Sequence, residues 1–83
     1  MVKLLYFAGL REALGTSGEE LALAAGIADI AALRQQLASR GEPWDALLRT
    51  RNLRVALNQR MVDESAAVAD GDEVAFFPPV TGG

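Results

Sequence analysis

The clearest repeat of apolar residues at helical spacing in this chain restricts the folds open to it. Ile30, Leu33 and Leu37 recur three and four residues apart, Asp29 stands where an N-cap belongs and Gly41 where a C-terminal cap belongs. The stripe is narrow, so one face packs on a sheet while Arg34, Gln35, Gln36 and Arg40 are expected to face water. One helix cannot bury itself. An 83-residue chain without cysteine is expected to be a single domain with no disulfide to support it, so strands must supply the rest of the core.

The strands are legible on either side of the helix. Val2–Ala8 (VKLLYFA) is rich in strand formers and stops at Gly9. Leu10–Leu14 suits one helical turn closed by Gly15, and the Gly15-Thr16-Ser17-Gly18 cluster predicts a return into a second strand over Glu19–Leu23. After the main helix, Pro43–Leu48 (PWDALL) predicts a short second helix with Pro43 in its first turn and Trp44 over an edge of the core. Arg54–Leu57 and Arg60–Val62 flank Asn58-Gln59, a two-residue turn in which Asn tolerates positive φ, and Asp70-Gly71-Asp72 turns into a last strand, Glu73–Phe77. The order of strand, strand, helix, two strands and strand, with one main helix against a mixed sheet, indicates an α+β roll rather than a parallel α/β fold.

Composition removes most autonomous chemistry. The chain has neither cysteine nor histidine, so thiol nucleophiles, the usual zinc sites, cysteine-ligated clusters and the commonest general base are excluded. No metal site is expected. A net charge of −3 argues against binding a phosphate backbone. No apolar run approaches the ~20 residues of a membrane span and the opening segment is not a signal peptide, so neither nucleic acid nor membrane is an expected partner and a cytoplasmic protein is expected. A domain this small buries only roughly 60% of its unfolded surface, which leaves few apolar residues for a deep cleft of its own. A partner is expected to supply the pocket.

The unusual feature is the ending PPVTGG. Six residues follow the last strand, dividing the chain into a domain over residues 1–77 and an extended tail over residues 78–83. Pro78 and Pro79 cannot donate to a sheet ladder, so they end the strand and stiffen the exit, and at roughly 3.3 Å per residue the tail could reach ~20 Å. Val80 and Thr81 still offer side chains to recognise, whereas Gly82 and Gly83 offer none and suit a narrow channel. Two terminal glycines alone are a weak signal; they gain weight from the combination of a stiffened, narrowing tail and a domain without catalytic side chains.

Three segments carry a resemblance: Asp70–Gly83 (DGDEVAFFPPVTGG), Ala56–Val62 (ALNQRMV) and Val2–Gly15 (VKLLYFAGLREALG), about half the chain. Together they resemble the sulfur-carrying small subunits of molybdopterin synthase, a family of ubiquitin-like β-grasp proteins, and the FFPPVTGG ending is the most specific part. The resemblance implies a β-grasp roll whose terminal Gly83 is adenylated by an E1-like activating enzyme that uses ATP, then converted to a thiocarboxylate by a sulfur donor protein. The tail Pro78, Pro79, Val80, Thr81 and Gly82 would enter the large catalytic subunit, where sulfur passes to a cyclic pyranopterin phosphate in a heterotetramer. No cofactor is expected on this chain itself. A carboxylate is a poor electrophile until AMP provides a leaving group, and the partners supply the base or metal that this chain lacks.

The resemblance also implies that partners bind the open face of the sheet. If Val74 and Phe76 face the helix, Ala75 and Phe77 face outward, and Phe77 beside Met61 on a neighbouring strand would form an apolar docking patch. Phe77 could instead cap the core at the strand end, and Met61 could fill the core. Arg11 matches a family position, or it is a solvated helix charge. A sulfur carrier for thiamin thiazole synthesis or a ubiquitin-like protein modifier would use the same Gly83, with FFPPVTGG favouring the molybdopterin reading. An interaction module with a bystander tail is the alternative of another class.

Overall fold

The computed structural model describes residues 1–79. The chain runs β1 (Val2–Tyr6), α1 (Ala8–Leu14), β2 (Gly18–Leu21), α2 (Ile30–Ala38), α3 (Ala46–Arg49), β3 (Arg54–Leu57), β4 (Arg60–Val62) and β5 (Glu73–Phe77). The strands form one mixed sheet in the order β2-β1-β5-β3-β4, in which β1 and β5 pair in parallel at the centre and every other pair is antiparallel. The central parallel pair joins the two ends of the described chain, and α2 lies in the long connection between them.

Alternation along the two central strands builds the core. Val2, Leu4 and Tyr6 of β1 and Val74 and Phe76 of β5 point to one face, and in register Leu4 stands beside Val74 and Tyr6 beside Phe76. Onto this face α2 lays Ile30, Leu33 and Leu37, all fully buried. Each such side chain contributes about 1.5–3 kcal/mol through burial alone. Asp29 caps the helix as the spacing predicts, its Oδ1 accepting from the Ala32 N–H at 2.8 Å. Asn58 and Gln59 both adopt positive φ, 51° and 69°, which gives the β3–β4 hairpin its turn, and the Asn58 amide ties that turn to Asp72 and Glu73.

Several elements differ from the sequence expectations. Helix α1 begins two residues early and spans seven residues, ending at Gly15 with φ 75°. The main helix stops at Ala38, three residues before Gly41. The second strand is shifted toward Gly18, where a Cβ would stand 2.4 Å from the Leu4 carbonyl oxygen; only glycine lets β2 come this close. Pro43 lies in a turn before the short helix, its carbonyl accepting from the Ala46 N–H, and α3 itself begins at Ala46. Arg34 does not face water: its side chain is 13% exposed and donates to the carbonyls of Leu47 and Thr50 and to Glu64. It thereby satisfies carbonyls at the end of α3 that have no partner within so short a helix.

At the outer edge of the core, Trp44 meets Tyr6 edge-on with ring centroids 5.5 Å apart, and the Arg40 guanidinium lies 4.4 Å over the Trp44 ring. Arg40 also grips Glu19 of β2 through two bonds of 2.9 and 2.8 Å, and the Tyr6 hydroxyl donates to the same carboxylate. The Arg40 bond holds the Glu19 carboxyl below its ordinary 4.5, with partial burial opposing it, while burial and then Glu19 push the Tyr6 phenol up. A lowered carboxyl pKa stabilises the folded state above the unfolded value and loses that contribution as pH falls. The melting-temperature advantage of the wild type over Glu19→Gln is therefore expected to be level above about pH 6 and to shrink below about pH 4.5. An advantage that persists undiminished at pH 3 would rule the ion pair out as its source.

Candidate partner interface and tail exit

The same alternation that buries Val2, Leu4 and Tyr6 turns Lys3 and Leu5 outward, and Phe7 follows them at the end of β1. On β5 the outward residues are Glu73, Ala75 and Phe77. Register aligns them in rows across the sheet: Leu5 stands beside Ala75, Ala75 beside Ala56, and Ala56 beside Met61. The two alanines are buried, each 5% exposed, although they face outward. At the next row the Phe7 N–H donates to the Phe76 carbonyl and prolongs the β1–β5 ladder. This brings the Phe7 and Phe77 rings into a parallel stack with centroids 4.8 Å apart and planes within 8°.

The result is an apolar surface of Leu5, Phe7, Phe77 and Met61 around a floor of small side chains, with Phe7 40% and Met61 57% exposed. Phe77 is half-buried by Phe7 and stands outside the core cluster. Met61 sits on β4 with β3 between it and β5, not on the adjacent strand, so Phe77's aromatic neighbour is Phe7. Arg54 is the cross-strand neighbour of Phe77 on β3. Arg11 lies on α1, four residues beyond Phe7, exposed, and its side chain makes no hydrogen bond or ion pair among the described residues. The chain leaves this face through Pro78 and Pro79, both half-buried. Val80, Thr81, Gly82 and Gly83 lie outside the described residues.

Phe7, Leu5 and Arg54 are the members of this surface that sequence reasoning missed. Applying alternation to β1 as well as β5 finds Leu5 and Phe7; their meeting with Phe77 depends on the parallel pairing of the chain's two ends, which no local pattern shows.

Among the described residues no three acidic, histidine or cysteine side chains group closely enough to hold a metal, and the depressions at the β3–β4 and β1–β2 edges are shallow. No helix of the described chain is long and apolar enough to cross a membrane. A stacked aromatic pair on an apolar surface with charged residues around it suits a protein interface.

A five-stranded mixed sheet closed on one main helix, its last strand at the centre and delivering the chain's end from an apolar face, defines a ubiquitin-like β-grasp protein. SAMP1 from Haloferax volcanii superimposes with a TM-score of 0.76 at 26% identity, covering 99% of this chain and 98% of that one. Residues 4–83 match the ThiS family, and the chain belongs to it. The molybdopterin synthase sulfur carrier subunit of Escherichia coli (strain K12) is 46% identical over 83 residues, and that of Haemophilus influenzae is 42% identical over 83 residues; both alignments span the whole of each chain.

Proposed function

We propose that this chain is the sulfur-carrying small subunit of a molybdopterin synthase. The observation that carries the reading is spatial: the exposed Phe7–Phe77 stack sits at the end of β5 from which the chain leaves through Pro78. A partner that covers the stack therefore has the tail delivered into it. Alignment over the full length of this chain with two sulfur carrier subunits supports the reading.

In this reading an E1-like activating enzyme joins the Gly83 carboxylate to AMP, releasing pyrophosphate from ATP. Sulfide released by a donor protein attacks the acyl carbon, AMP departs as the leaving group, and a thiocarboxylate remains. The large catalytic subunit then docks on the outer sheet face, takes in residues 78–83 and passes the sulfur to a cyclic pyranopterin phosphate. Phe77, Phe7 and Met61 make the apolar contact, and Arg11 lies at its border. Incubation with ATP, activating enzyme and sulfur donor is expected to raise the intact mass by the difference between sulfur and oxygen. An unchanged mass under conditions that charge the Escherichia coli relative would overturn the reading.

A further inference from the structure

The outer face carries a basic residue at each end. Lys3, at the end far from the tail, stands in register between Glu20 of β2 and Glu73 of β5. Arg54, at the tail end, has Phe77 as its cross-strand neighbour on β5. It is exposed, and no carboxylate among the described residues lies within 4.0 Å of it. The acids nearest it in register and in sequence bond to other groups. Asp63 follows Val62, the partner of Val55, and is thus next in register to Arg54, yet its Oδ1 accepts from the Ser65 N–H and hydroxyl. Those bonds hold the Asp63 carboxyl below its usual range. Glu64 is bound to Arg34. By contrast Arg34, Arg40 and Arg49 each have an acidic partner within the chain.

Side chains opposed across an antiparallel pair lie within about 5 Å at Cβ. A surface that covers Phe77 therefore strips water from the Arg54 guanidinium, which is unfavourable unless that surface supplies an acceptor. A carboxylate is the fitting acceptor, because it meets the planar guanidinium through two parallel bonds. Resting on the docking-face reading above, we propose that Arg54 is the specificity residue of this face: it selects a partner whose apolar socket for Phe7 and Phe77 bears a carboxylate at its rim.

Rim charges act mainly on association rate and its salt dependence, and buried apolar anchors mainly on dissociation. The test is association of the full chain with the large subunit of molybdopterin synthase, followed by stopped flow for wild type, Arg54→Gln, Arg54→Glu and Phe77→Ala. At low salt Arg54→Glu is expected to slow association about tenfold and Arg54→Gln about threefold, with the melting temperature unchanged. The differences are expected to vanish near 0.5 M salt, where the screening length is about 4 Å. Arg54→Glu associating within twofold of wild type, or faster, while Phe77→Ala still binds weakly would overturn the assignment of Arg54 and leave the docking face standing. Wild-type binding by Phe77→Ala would overturn the docking face and the Arg54 assignment with it.

Discussion

Phe77→Ala is expected to weaken binding of the large subunit about thirtyfold or more, equivalent to ~2 kcal/mol, while costing the fold less. The asymmetry follows from where the ring sits. Phe77 is on the face of β5 opposite to Val74 and Phe76, and its main support is Phe7 rather than α2. Losing the stack removes about 0.5–1.5 kcal/mol of aromatic pairing from the free protein. Docking would bury the remaining exposed ring together with Phe7, and truncation of a desolvated aromatic anchor usually costs more than its area suggests. Phe7→Ala should reproduce much of the effect, and the double variant should fall short of the sum, because the two rings present one surface. Equal losses of stability and affinity in Phe77→Ala would place the ring in the core.

The parts of the fold that sequence showed well are those set by local rules. The α2 stripe, the Asp29 cap, the left-handed Asn58-Gln59 turn and the final strand each depend on a few adjacent residues with a definite conformational bias. What it did not show depends on neighbours far along the chain. The sequence of β2, Gly18 to Leu21, has helical propensity in its two glutamates, and it is extended because β1 offers an edge and Glu19 is gripped by Arg40. Arg34 looks like a solvated helix residue until α3 folds back and presents the Leu47 and Thr50 carbonyls to it. The apolar outer face was half legible for the same reason. Alternation along β5 turns Phe77 outward, but only the parallel β1–β5 register sets Phe7 against it.

Removing Gly83, or adding one residue after it, is expected to abolish sulfur transfer while leaving the melting temperature and large-subunit affinity close to wild type. The argument is one of distance and of bond type. Pro78 and Pro79 follow β5 directly, so in the proposed mechanism the reacting carbon lies a fixed number of residues beyond the Phe7–Phe77 stack. Six residues span at most about 20 Å, and losing one withdraws the terminus by about 3.3 Å. Misplacement by even ~1 Å can cost about a hundredfold in rate, because the reacting groups must be held at near-attack distance. Extension acts differently: it converts the Gly83 carboxylate into an amide, which cannot be joined to AMP, and offers the activating enzyme a new terminus with a side chain. Measuring thiocarboxylate formation and pterin sulfuration separately distinguishes the two effects. The extended chain should fail at the first step, and the shortened chain, if it is charged at all, should fail at the second. Normal sulfuration by either variant would remove Gly83 from the mechanism and leave the sheet face as the working part of the molecule.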